Sequence, residues 1–278
     1  MTQSLHTLPY PKLLERRQKV SILLRTRNMN NGKCFVEYSP KPIPLDTSGK
    51  AKENNLCRIV DLGLVDYSYA YEFQKQVLDK IRYGNEPHAL ILCEHPHTIT
   101  QGRMTKESDL LISPLKLKQL GVSNYSVERG GRITYHGPGQ LVAYPVFDLN
   151  KLKKDLKFFL WSLEEVIINF LNNFNLEAER KPGYTGVWIE DRKIASIGIA
   201  VKKWITFHGL AINLNTDLEY FSLIKPCGLD VRMTSLSQIM GREIVIDNRL
   251  KERLVEEFKK VFALEIVEGQ MNTQLSER

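Results

Sequence analysis

Leu156-Lys157-Phe158-Phe159-Leu160-Trp161-Ser162-Leu163-Glu164-Glu165-Val166-Ile167-Ile168-Asn169-Phe170-Leu171 is followed by three apolar runs: Val187-Trp188-Ile189, Lys193 to Val201 and Phe207 to Leu214. In the first stretch Leu156, Leu160, Leu163, Ile167, Phe170 and Leu171 form one stripe at helical period, with Glu164 and Glu165 off it. That spacing predicts an amphipathic helix. The three later runs are short and closely spaced, which predicts strands. A long helix beside consecutive strands already departs from the regular alternation of a doubly wound sheet.

Working outward gives the same texture. Arg58-Ile59-Val60-Asp61-Leu62 reads as a strand, and Ala70, Phe73, Val77, Leu78 and Ile81 recur at helical spacing. Ala89 to Cys93 is a compact apolar run fit for a buried strand. Leu141 to Leu149 is another, and Pro145 places it near an edge or a bulge. A last helix is expected from Leu250, Leu254, Phe258, Val261 and Phe262. No internal repeat is visible. The fold class is therefore α+β, a mixed β-sheet with helices packed on it. Residues 1–56 read as an N-terminal extension broken by five prolines, with one short helix possible around Lys12 to Leu24. Residues 57–265 form the expected folded domain and residues 266–278 a tail.

Composition excludes several classes. With 42% hydrophobic and 26% charged residues the chain suits a globular fold rather than a disordered one. Its apolar runs are too short to span a bilayer, and the start lacks the pattern of a secretory signal. Cys34, Cys57, Cys93 and Cys227 are far apart, so a disulfide scaffold or thiolate zinc site is not expected and a reducing cytoplasm fits. Residues 1–58 contain eleven Lys and Arg against four acids, so the whole net charge of +7 lies there. A neutral body with a basic arm argues against a nucleic-acid-binding core.

Three segments carry possible chemistry. Arg129-Gly130-Gly131-Arg132-Ile133-Thr134-Tyr135-His136-Gly137-Pro138-Gly139-Gln140 forms no regular element on this reading. Its glycines allow close backbone approach to a ligand, and its arginines could hold a polar head group; a turn-rich hairpin is the plain alternative. Lys193 opens an apolar strand, where a lysine either reaches solvent or supplies fixed charge to a nucleophile. Lys225-Pro226-Cys227-Gly228 puts a cysteine on a constrained turn, while Cys93 sits mid-strand and belongs to the core. His208 lies on the strand before it. Cys227 is on these grounds a candidate nucleophile only.

Taken together, these segments resemble the lipoate-pathway octanoyltransferases, relatives of the lipoate and biotin protein ligases. The likeness spans roughly residues 57 to 265. It is carried by Arg129 to Pro145, then Lys193-Ile194-Ala195-Ser196-Ile197-Gly198, Phe207 to Asn213 and Pro226-Cys227-Gly228, in the family's order. The resemblance implies a biotin/lipoate protein ligase-like fold, Cys227 as acyl-thioester nucleophile and Lys193 as the residue that tunes it. It also implies an octanoyl site lined by Arg129, Gly130, Gly131, Arg132, Ile133, Thr134, Tyr135, His136, Ser196, Ile197, Gly198, Gly209, Leu210 and Ala211. The implied donor is octanoyl-acyl carrier protein. The implied acceptors are lysines of the lipoyl domains of 2-oxoacid dehydrogenases and of the glycine cleavage H protein, with no cofactor, metal, nucleic acid or membrane. An ATP-dependent ligase on the same fold and a non-catalytic binder are the rival readings.

Overall fold

The computed structural model describes residues 53–84, 86–226 and 231–267. The extension up to residue 52, with its expected helix around Lys12 to Leu24, lies outside them, as do Cys227 and most of the tail. The described chain runs β1 (Leu56–Leu64), α1 (Tyr67–Gly84), β2 (His88–Glu94), β3 (Thr98–Gln101), α2 (Pro114–Gln119), β4 (Ser123–Ser126), β5 (Ile133–His136), β6 (Gln140–Val146), α3 (Leu156–Asn172), β7 (Glu179–Lys181), β8 (Tyr184–Ile189), β9 (Arg192–Lys202), β10 (Ile205–Asn213), α4 (Leu236–Met240), α5 (Asn248–Phe262) and β11 (Glu265–Ile266).

Eight strands form the main sheet in the order β11-β1-β2-β6-β10-β9-β8-β7, and β4-β3-β5 form a smaller one. β1 pairs in parallel with β2 and β11, and the rest of the large sheet is antiparallel. The sheet is mixed and helices cover it, as the α+β reading expects. α3 and α5 bury Phe159, Leu163, Phe170, Leu254, Phe258 and Phe262 against one face. α1 buries the expected Ala70, Phe73, Val77, Leu78 and Ile81 against the other. Side-chain caps start both helices of the first layer: Asp155 accepts the N–H of Phe158 at 3.0 Å, and Asp247 that of Leu250 at 2.8 Å. Each such cap contributes about 1 kcal/mol. Among the described residues no helix is long and apolar enough to cross a membrane.

Three expectations need correction. Pro145 lies in the middle of the sheet, because β6 sits between β2 and β10. The chain tolerates it there because the β6–β10 ladder is interrupted after Ala143 opposite Leu210 and resumes only where Thr206 N–H meets Phe147 O, so no N–H is needed at 145. The segment expected to lack regular structure contains strand β5 at Ile133–His136, pairing antiparallel with β3. Glu164, placed off the buried stripe of its helix, is 8% exposed. Leu156 is instead 39% exposed, so the stripe is rotated from the one read by period alone.

Candidate active site

One cavity of about 380 Å³ gathers most of the residues singled out in the sequence. β9 and β10 form its floor. Their register sets Ser196 against Ala211, Ile197 against Leu210 and Gly198 against Gly209, and all six residues line the cavity. The glycine-rich segment forms a wall, with Arg129, Gly130, Gly131, Arg132, Ile133, Thr134 and His136 facing the space. Tyr135 does not line it; its phenol bonds to His97 at 2.7 Å and stacks on Tyr220. Strand alternation sends its side chain to the opposite face from Thr134 and His136.

Close approach builds the wall. The N–H of Gly130 donates to Ile199 O at 2.8 Å, laying the loop on β9. On β10, a Cβ at Gly209 would collide with the Ala143 carbonyl oxygen and lie 2.6 Å from Pro145 Cδ, so only glycine fits between the strands. Both arginines are engaged. Arg129 donates to Thr100 O at 2.6 Å and to Thr100 Oγ1. Arg132 forms a two-pronged ion pair with Asp109, which is 1% exposed. Burial favours the neutral acid, but Arg132 and the Lys106 N–H outweigh it and hold the Asp109 carboxyl below its usual range.

Lys193 is 3% exposed, so it is not a rim lysine reaching solvent. Its ammonium donates to Thr185 O at 3.0 Å and lies 5.0 Å from the Trp188 ring centroid. Cys227 lies outside the described residues, but the chain on both sides of it is tied to this site. Pro226 lines the cavity, and Lys225 N–H donates to Asp109 O at 2.7 Å. Beyond the gap, Lys193 N–H donates to Arg232 O at 2.8 Å and Thr234 N–H to Lys193 O at 2.9 Å. The other described cysteines are unsuited to nucleophilic work. Burial pushes the Cys57 thiol up to about 12 and the Cys93 thiol higher still.

Residues the sequence did not assign to the site complete it. Tyr67, Met104, Val142, Tyr144, Leu160, Gly183, Tyr184, Thr185, Ile199 and His208 also line the cavity. His208 has φ +56°, which turns its ring to the same side as that of Phe207, on which it stacks at 4.9 Å. Its backbone N–H is met by Gln74 Oε1 of α1 at 2.7 Å. Its Nδ1 contacts the Tyr67 hydroxyl at 3.3 Å, while Nε2 has no hydrogen-bond partner among the described residues. Burial, then the charge of Arg129, lowers its pKa to about 4; burial lowers that of His136 to about 3. Both imidazoles are neutral at pH 7. Polar aromatic residues spread along the chain give no periodic signal, and only the Phe-His-Gly sequence hinted at one of them. Among the described residues no cluster of His, Cys, Asp and Glu could hold a metal.

Residues 66–259 match the family model described as the lipoyl protein ligase A/B catalytic domain. A protein of Caldicellulosiruptor saccharolyticus named octanoyltransferase is 49% identical over 205 residues, covering 72% of this chain and 86% of the relative. An octanoyltransferase of a Thermoanaerobacter species is 42% identical, covering 76% and 92%. Among solved structures, a lipoate-protein ligase A bound with ATP superposes with a TM-score of 0.66 at 16% identity, over 78% of this chain and 90% of that one. A putative lipoate protein ligase of T. acidophilum with bound lipoic acid gives 0.60 at 16%, over 78% and 90%. These structures share the fold.

Proposed function

The chain belongs to the lipoyl protein ligase A/B catalytic-domain family, and from that premise we propose that it transfers an octanoyl group from octanoyl-acyl carrier protein, through a thioester on Cys227, to a lysine of a lipoyl domain. The observation that carries this reading is that a buried lysine and Pro226 line one largely apolar cavity, while the segment beyond Cys227 bonds to the backbone of that lysine. Its relatives' name, octanoyltransferase, supports the acyl group, and ligases of the same fold support the lipoyl acceptor only as a class.

The chemistry follows from the groups present. An ordinary thiol with a pKa of about 8.5 is only a few per cent ionised at pH 7, and an ammonium close by favours the thiolate. The Cys227 thiolate attacks the donor thioester; the new C–S bond forms as the bond to the carrier sulfur breaks. Lys193 gives its proton to that departing thiolate. The acceptor amine then attacks the acyl-Cys227 carbonyl, forming the amide and breaking the C–S bond. Its proton passes to Lys193, and Cys227 leaves as thiolate. Thioester exchange is nearly balanced and amide formation is downhill, so no ATP is consumed. The cavity takes the acyl chain between the glycine wall and the β9–β10 floor.

Intact-protein mass spectrometry after incubation with octanoyl-acyl carrier protein tests this. The expected result is one octanoyl adduct, mapped to Cys227, absent in Cys227→Ala, and discharged onto a lipoyl domain without ATP. Transfer by Cys227→Ala at the wild-type rate, or a strict need for ATP, would overturn it and favour the ligase reading.

A further inference from the structure

Glu164 is a buried acid that the mechanism above leaves unused. A carboxylate removed from water costs several kcal/mol unless its oxygens find partners. Here both do. Oε2 accepts from Arg180 Nε at 3.1 Å, and Oε1 accepts the N–H of Gly186 at 3.0 Å. Gly186 N–H and Thr185 C=O belong to the same peptide unit, and that carbonyl receives the Lys193 ammonium at 3.0 Å. The order is therefore carboxylate, peptide N–H, peptide C=O, ammonium. A peptide is planar and nearly rigid, so fixing the direction of its N–H fixes the direction of its carbonyl. Hydrogen bonds in such a chain also polarise one another.

The surroundings hold this arrangement tightly. Gly186 has φ +134°, and a Cβ there would lie 2.6 Å from Lys193 Cε. The backbone conformation and the Ala195 carbonyl oxygen, also 2.6 Å from that Cβ, thus exclude any side chain at 186. The Lys193 charge is among the influences that lower the pKa of Glu164, against the burial that raises it. Arg180 also acts away from this chain of bonds. It donates to Glu165 Oε2 at 2.6 Å and to Trp161 O at 3.0 Å, clamping the β7–β8 hairpin to α3.

We propose that Glu164 is a positioning residue for Lys193, setting the place of its ammonium through the Thr185–Gly186 peptide. This rests on the reading that Lys193 favours the Cys227 thiolate. It is tested by the pH dependence of Cys227 alkylation, followed by peptide mapping, together with single-turnover acyl transfer. Lys193→Ala serves as the reference. Glu164→Ala removes the acceptor for Gly186 N–H; Glu164→Gln keeps one; Arg180→Met releases the hairpin clamp but leaves Glu164 Oε1 in place. The expected result is an alkylation midpoint raised by about one pH unit in Glu164→Ala, with transfer roughly tenfold slower at pH 7 and KM little changed. Glu164→Gln restores most of both, and Arg180→Met lowers the melting temperature without moving the midpoint. Should Glu164→Ala not fold, Glu164→Asp, one methylene short of Gly186, carries the same test.

Three results overturn the proposal: an unmoved midpoint in Glu164→Ala when Lys193→Ala moves it, an equal movement in Arg180→Met, or no recovery in Glu164→Gln. If Lys193→Ala itself leaves the midpoint unchanged, the assistance of Cys227 by Lys193 fails, and the positioning role falls with it.

Discussion

Lowering the pH from 7 to 5 should destabilise the fold by several kcal/mol, because four histidines are buried in the neutral form. Burial lowers the pKa of His88, His95 and His208 to about 4 and that of His136 to about 3. In the unfolded chain each returns to about 6.5. Between those values the unfolded state binds the proton and the folded state does not, so stability is complete above pH 6.5 and is lost as the pH falls toward 4. At pH 5 each histidine contributes a loss of about 2 kcal/mol, and the four together about 7 kcal/mol. A total stability of roughly 5–15 kcal/mol leaves little margin for that. Glu164, whose pKa burial raises, acts in the opposite sense but is one group against four. Asp109 and Glu128, whose carboxyls are held low in the fold, act in the same sense as the histidines, but their part is lost mainly below about pH 5, where unfolded carboxylates protonate. Urea denaturation at half-unit steps from pH 7.5 to 5 measures the loss. His88 offers a control away from the cavity: it bonds Asn54 O and the N–H of Asp148. His88→Gln should cut the loss between pH 7 and 5 by about a quarter. A midpoint that stays flat with pH, or a His88→Gln curve parallel to wild type, would refute the reasoning.

Two further outcomes are expected. Gly209→Ala sets a methyl against the Ala143 carbonyl and Pro145; it should cost about 1–3 kcal/mol and raise KM for the acyl donor, and an unchanged melting temperature with wild-type KM would contradict the packing argument. Residues 1–52 lie outside the described structure, but their surplus of basic residues suits attraction of an acidic acyl carrier protein. Deleting them should lower kcat/KM at low salt while sparing single-turnover transfer, an effect that fades as the Debye length falls to about 8 Å near 0.15 M salt. Parallel salt curves for the two forms would show that the arm does no steering.

The fold was legible where burial follows period. α1, α3 and α5 and the strands β2, β9 and β10 all carry apolar residues at the spacing their geometry demands. The short strands β3, β4, β7 and β11 were not, since two to four residues hold no period to read. The rotation of α3, which buries Glu164 and exposes Leu156, depends on what Arg180 and Gly186 present to it, and tertiary partners of that kind leave no mark on local pattern. Motif order brought Lys193, Ser196 to Gly198 and the glycine wall to attention, and these do lie around one cavity. Tyr67 and Tyr144 stayed hidden because a buried tyrosine on an apolar face looks like any other core residue. His208 shows its peculiarity only in its backbone angle.

The pairing of the first and last described strands has a mechanical consequence. β1 and β11 run in parallel, joined by Glu265 N–H to Asn55 O and Val267 N–H to Cys57 O, each at 3.0 Å, with Asn55 Nδ2 donating to Ala263 O at 3.0 Å. Force drawn through the amino end of β1 and the carboxyl end of β11 acts along parallel neighbours in opposite directions. Such a load shears all three bonds at once instead of peeling them singly. Within the described residues, resistance to such a load therefore begins at this short clasp, and its rupture rate bears on the rate of forced unfolding. Once it yields, β1 remains held by β2 over six residue pairs, a second and longer barrier to extraction.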